Sequence, residues 1–186
     1  QRCLMKTRFF MILANTTELR FYMKGNYNFF NKKNFYGKIK NKIPPTFLTL
    51  LFLTFNYILS FYFLKINIPY KDFFSTLLFI IGFYLIIRSS RLFAKANTSI
   101  DPLRPFKSTY LITNDIYKYS RNPMYFGYLL ILLSSSVYLG NVISIIIIPL
   151  FIFIINFIQI KPEEEALKDL YGPNYDEHFL KVRRWI

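Results

Sequence analysis

"VISIIIIPLFIFIINFIQI", residues 142–160, contains no charged side chain. Wound as a helix at 1.5 Å per residue it is roughly 29 Å long, close to the ~30 Å hydrocarbon core of a bilayer. Only Gly140–Asn141 separates it from another charge-free run, residues 124–139. So short a connection forces an antiparallel helical hairpin. Upstream lie "FLTLLFLTFNYILSFYFL" (47–64) and "FFSTLLFIIGFYLII" (73–87). The latter falls short of the hydrocarbon thickness by ~7 Å and calls for flanking Lys71 and Arg88 to snorkel. These blocks predict an all-α fold, a polytopic membrane helical bundle of about four transmembrane helices plus short cytoplasmic C-terminal helices.

Charge divides along the same lines. The chain carries a formal +14, but the excess alternates with the apolar runs. Residues 1–43 hold +9, the connection between the first two runs +1, residues 88–123 +5, and the tail from Lys161 −1. The positive-inside rule then places the N-terminus, the 88–123 loop and the tail on the cytoplasmic side. Such a distribution encodes orientation and contact with anionic lipid, not a groove for nucleic acid. Residues 1–43, rich in Asn, Lys, Phe and Tyr, read as a basic N-terminal segment, mobile or associated with the inner leaflet. Residues 44–186 form the membrane domain. The apolar stretch Phe9–Ala14 is shorter than the core of a signal peptide. With one Cys (Cys3) and one His (His178), an internal disulfide is impossible, and a metal or haem site lacks its usual ligands. No metal is expected.

The chemistry gathers where polar sequence meets an apolar run, at "YSRNPMYFGYLL" (119–130). Asn122–Pro123 has the grammar of a helix start: Asn is a strong N-cap, and Pro suits the first turn because its missing N–H would lack a partner anyway. Arg121 stands just before it, and Tyr117, Tyr119 and Tyr125 surround it. Free N–H groups at a helix start attract carboxylates and phosphates. The far end of the hairpin supplies the opposite sign. Pro162 is expected to stop or bend the last apolar helix, and Glu163, Glu164 and Glu165 follow. The hairpin brings both ends to the same face of the membrane. Asn156, Gln159 and Glu163 fall at i, i+3 and i+7, so they share a face where the helix persists. A ligand satisfying both ends carries an ammonium or sulfonium beside a carboxylate. S-adenosylmethionine is one candidate.

"LITNDIYKYSRNPMYFGYLL" (111–130), the hydrophobic hairpin and "EEEALKDLYGPNYDEHFLKVRRWI" (163–186) together closely resemble the isoprenylcysteine carboxyl methyltransferase family, which groups with phospholipid N-methyltransferases. The family pattern runs L-V-T-x-G-x-Y-x-x-x-R-[HN]-P-x-Y, then E-E-x-x-L-x-x-x-[FY]-G-x-x-Y-x-x-Y and a basic end. "ANTSIDPLRP" (96–105) resembles the segment preceding it in bacterial-type members. The resemblance implies an integral-membrane enzyme with a cytoplasmic pocket for S-adenosyl-L-methionine. By motif position the cofactor meets Thr109, Tyr110, Leu111, Ile112, Tyr117, Asn122, Pro123, Met124, Tyr125 and Glu163. Arg121 and Glu164 are the candidates for a catalytic role, and Gln159 for contact with the substrate. The acceptor is a lipid or lipidated molecule entering from the bilayer.

Four positions depart from the pattern. Asp115 stands where Gly is common, and Asp tolerates positive φ better than most residues. Asn122 replaces the His of eukaryotic members. His178 occupies the second Tyr position. Gln159 replaces an Arg implicated in holding the substrate carboxylate, and a neutral amide weakens such a clamp. The resemblance favours O-methylation of a prenylcysteine carboxylate, with phospholipid N-methylation as the alternative. An NADPH-dependent, sterol-reductase-like protein and a non-enzymatic four-span protein are the more remote readings.

Overall fold

The computed structural model describes residues 43–96 and 111–186. The basic segment expected at 1–43 lies outside the described residues except for Ile43, as do Thr109 and Tyr110. Helix α1 spans Pro45–Leu59 and α2 Lys71–Lys95. After a short 3-10 turn, Asp115–Lys118, come α3 (Pro123–Leu139) and α4 (Ser144–Ile155). A π-turn, Asn156–Ile160, joins α4 to α5 (Lys161–Tyr171), and α6 spans Pro173–Lys181. Among the described residues there is no strand, only an isolated bridge between Lys65 and Asn141.

Sequence explains the starts and stops. Pro45, Pro123 and Pro173 fall in first helical turns, where an absent N–H costs nothing. Gly140 ends α3 at φ 61°, and the chain reverses into α4 as the two-residue connection requires. Pro162, expected to stop or bend the last apolar helix, does neither alone: the helical run continues from Ser144 to Tyr171. The adjustment is the π-turn immediately before it. A proline leaves a carbonyl one turn earlier without its α-helical donor, and a single wide turn absorbs that mismatch.

Two helical runs, Lys71–Lys95 and Ser144–Tyr171, are long and apolar enough to cross a membrane. The first exceeds the span expected of it, because the helix continues past Arg88 for two further turns. Helices α1 and α3 are apolar but shorter, at 15 and 17 residues. Burial separates this arrangement from a soluble core. Only 17% of the most apolar stretch of α2 and 33% of that of the Ser144–Tyr171 run are buried. Phe47, Leu50, Phe73, Ile80, Ile145 and Phe153 are each at least 58% exposed. An outward-facing apolar surface on that scale calls for lipid.

The inner faces meet around Phe52, Leu132, Ile147, Phe151, Ile155 and Ile160, with Phe52 and Phe151 edge-to-face at 5.2 Å. Helices α2 and α3 lie closest together. They meet along small buried residues two turns apart, Ser75 and Gly82 of α2 against Ser134 and Gly127 of α3. The Ser134 hydroxyl donates to the Ser75 carbonyl at 2.7 Å.

A polar knot fixes the end of the bundle that holds the tight turn. The Asn56 amide, fully buried, donates to Ser135 and Ser136 and accepts from Asn141 and Ser144, at 3.1–3.3 Å. Every polar group of that side chain is satisfied, which is what a low-dielectric setting demands. Asn56→Ala strands several of these partners. It is expected to cost about 1–3 kcal/mol, measured by unfolding the micelle-solubilised protein with a denaturing detergent.

Candidate functional site

The opposite end of the bundle gathers the start of α1, the end of α2, residues 111–122, the start of α3, the π-turn and α5. Helices α3 and α4 run antiparallel, so the Asn122–Pro123 start and the acidic turn emerge side by side. Across that gap the Tyr125 hydroxyl donates to Glu163 Oε2 at 2.8 Å. Tyr125 is buried and Glu163 half-buried. Among the described residues no cation pairs with Glu163, a costly state for a carboxylate in such a place unless a ligand supplies the charge. Ile112, Tyr117, Asn122 and Pro123, which precede Tyr125 in the chain, are buried, and Met124 packs against the core. Tyr117 meets Phe93 of α2 edge-on at 5.9 Å. Burial raises its phenol well above the ordinary value, so it stays neutral.

Asp115 adopts φ 58°, the left-handed region that explains why Gly is common at this motif position. Its carboxylate offsets that strain twice over, accepting from the Ile116 amide at 2.9 Å and forming an ion pair with Arg88. The Arg88 guanidinium holds the Asp115 carboxyl below the usual range. The 3-10 turn is thereby moored to the end of α2.

The two residues proposed above for catalysis are partners of each other. Arg121 Nη2 lies 3.2 Å from Glu164 Oε1, and Arg184 donates to the same carboxylate through Nε at 3.2 Å and Nη2 at 2.6 Å. Glu164 is buried under two guanidinium groups. Arg121 also stacks on the Phe179 ring, its central carbon 3.7 Å from the centroid, and donates to the Phe179 carbonyl at 3.1 Å. This ion triple binds α5, α6 and the C-terminal residues to the start of α3.

Asn122 sits at the N-cap position and its carbonyl accepts from Phe126, but its side chain does not cap. The amide instead donates to the Arg184 carbonyl at 3.1 Å. Arg184 was not anticipated from the sequence. The signal available was the basic end of the second motif, "VRRWI", which residue type alone does not assign to a partner.

Gln159 is fully buried within the π-turn. Its Nε2 donates to the Ile43 carbonyl at 2.5 Å, and among the described residues its Oε1 has no partner. The expected shared face of Asn156, Gln159 and Glu163 is broken, because the extra residue of the π-turn rotates Gln159 toward the start of α1 while Glu163 meets α3. Asn156 Oδ1 is likewise buried without a partner among the described residues. On the outer side a groove of about 660 Å³ lies between residues 111–118 and α6, lined by Leu111, Thr113, Lys118, Asn174, Glu177 and His178 among others. Burial, and Arg121 second, hold His178 below its ordinary value, so it is neutral at pH 7.

Comparison with known proteins agrees with this architecture. The phospholipid methyltransferase family model matches residues 70–174. An uncharacterized protein of Haemophilus influenzae is 41% identical over 63 residues, which is 34% of this chain and 100% of that protein. The Protein-S-isoprenylcysteine O-methyltransferase of Schizosaccharomyces pombe is 32% identical over 76 residues, 41% of this chain. The match spans 32% of the yeast protein's length. No solved structure matches at a significant level. This chain belongs to the phospholipid methyltransferase family, which includes the isoprenylcysteine methyltransferases.

Proposed function

We propose that the protein is an integral-membrane methyltransferase that uses S-adenosyl-L-methionine to methylate a lipid or lipidated acceptor entering from the bilayer. The observation that carries this is Glu163, a carboxylate without a cationic partner among the described residues, held by Tyr125 where the two motifs converge. The donor set suits a cofactor bearing ammonium and sulfonium charges. Glu163 would hold the cationic end, Tyr117 and Tyr125 would wall it, and Ile112, Asn122, Pro123 and Met124 would line the α3 side. Leu111, which borders the outer groove, would meet it from the loop, and Thr109 and Tyr110 extend that side by motif. When bound, the cofactor supplies an electrophilic methyl group. The residues here orient the partners and exclude water, and alignment of this kind is worth up to ~7–11 kcal/mol. In the bilayer we propose four spans, with the termini and the site cytoplasmic.

For the acceptor, the first reading is a prenylcysteine-type carboxylate, methylated on oxygen. Such a group is already ionised at pH 7 and needs no base. That accords with a site whose Glu164 is held by two arginines and whose His178 faces the outer groove. A second reading, a phospholipid amine methylated on nitrogen, draws on Gln159. Its nitrogen is already engaged by Ile43, while its oxygen has no partner among the described residues. A neutral amide presenting oxygen suits an ammonium group better than a carboxylate.

The test supplies methyl-labelled cofactor to purified protein with either an S-prenylated cysteine bearing a free carboxylate or vesicles containing phosphatidylethanolamine. Label that mild base releases as methanol identifies an ester and the first reading. Base-stable label in the lipid identifies the second. Folded protein that binds no cofactor and labels neither acceptor would end the proposal.

A further inference from the structure

We propose that the C-terminal residues 182–186 form a clasp that sets the spacing between the two walls of the cofactor site, with Arg184 as its positioning residue. This rests on the site being a pocket for S-adenosylmethionine.

One residue touches both walls. The Arg184 carbonyl accepts from the Asn122 amide at 3.1 Å and the Ser120 hydroxyl at 3.4 Å, on the α3 side. Its guanidinium holds Glu164, the neighbour of Glu163, on the α5 side. One residue earlier, the Arg183 carbonyl accepts from the Arg121 amide at 3.0 Å. One residue later, Trp185 packs against the hydrophobic core. Backbone, side chain and aromatic anchor thus act over three consecutive residues, and the polar contacts all bear on the start of α3 or the first turn of α5.

The location gives the clasp its purpose. Glu163 follows a π-turn, a place where a helix adjusts its rotation easily, so helix geometry alone does not fix where its carboxylate points. Anchoring Glu164 to Arg184 and Arg121 fixes the turn that carries Glu163. On the other wall, an asparagine at an N-cap position does not cap, because its amide is committed to the clasp. Arg184 itself makes contact through residues beside those that would meet the cofactor. Its effect is on their placement.

Coupling is reciprocal: a clasp that favours cofactor binding must itself be tightened by the cofactor. Trp185 is the sole tryptophan of the chain, so its fluorescence reports on the clasp without a label. In wild-type protein, saturating S-adenosylhomocysteine is expected to reduce acrylamide quenching of Trp185 by about twofold or more. Arg184→Ala is expected to red-shift Trp185 emission and to weaken binding of the same ligand by about tenfold or more. Arg184→Lys keeps a charge toward Glu164 but loses the two-pronged contact, and is expected to bind with an affinity between those of Arg184→Ala and wild type. Lys168→Gln, which removes an exposed charge paired with Asp176, serves as the control for net charge and binds as wild type does. The wild-type quenching measurement decides the matter even where Arg184→Ala fails to fold. Wild-type protein that binds the ligand with unchanged Trp185 quenching overturns the clasp alone. So does an Arg184→Ala variant that binds normally. Folded wild-type protein that binds no S-adenosylhomocysteine overturns the pocket as well, and calorimetry on the same sample separates the two failures.

Discussion

Glu163→Gln is expected to lose about 100-fold in affinity for S-adenosylmethionine, near 2.7 kcal/mol, while the protein keeps or gains thermal stability. The amide has the shape of the carboxylate and still offers an oxygen to the Tyr125 hydroxyl, so the bond across the hairpin survives. What disappears is a negative charge with no cationic partner among the described residues. In the ligand-free protein that charge is a burden, since desolvation disfavours it. In the complex it is the main attraction for a cationic group, and hydrogen bonds to charged groups carry about 1.5–3 kcal/mol. Affinity and stability therefore move in opposite directions, the mark of a residue kept for function. Glu164→Gln reverses the pattern. It leaves two guanidinium groups facing a weaker partner, and breaking such a buried arrangement costs about 3–5 kcal/mol, so stability falls first. Calorimetric binding together with thermal unfolding of the two variants distinguishes the neighbours. Equal behaviour of both would mean that Glu163 is simply another member of the ion network.

How far the sequence reached depended on how local the determining physics was. The reversal at Gly140–Asn141 could be read directly, because so short a link admits only one arrangement of two apolar helices. The convergence of the Asn122–Pro123 start with the acidic turn followed from it. The positive φ of Asp115 was legible from a glycine in the motif. Other features depended on partners distant in sequence. Nothing near Glu164 indicates that Arg184 and Arg121 neutralise it while Glu163 has no cationic partner among the described residues, because the difference lies in which way each side chain points after the π-turn. That turn, in its own right, displaced Gln159 from the face that regular helical spacing assigned it. Asn56 gave no sign of its role either. It sits within an apolar run, and its partners lie about eighty residues away on the far side of the hairpin.

The closest approach in the bundle was equally hidden, and it yields the second large effect: Gly127→Leu is expected to abolish recovery of folded protein. A Cβ placed on Gly127 would lie 2.7 Å from the Gly82 carbonyl oxygen and 2.8 Å from Ile86 Cγ1. One placed on Gly82 would lie 2.7 Å from the Gly127 carbonyl oxygen. The obstacle on each side is backbone, which cannot swing away as the tip of a long side chain can. Overpacking a core by a few methylenes costs about 1–3 kcal/mol, occasionally more, and a leucine here must drive two helices apart along their length. Lipid offers little to oppose that separation, because helices in a membrane associate chiefly through close packing and the hydrogen bonds it permits. Parting α2 from α3 would also break the Ser134–Ser75 bond and draw Arg88 from Asp115, loosening the loop that carries Ile112 and Tyr117. Function should therefore fail with the fold, whereas Glu163→Gln loses binding alone. Gly82→Ala, a smaller intrusion at the same crossing, is expected to lower the thermal midpoint without preventing purification. Size-exclusion chromatography in detergent with a thermal melt checks both. Monodisperse Gly127→Leu protein melting where wild type melts would show that α2 and α3 do not meet at these glycines.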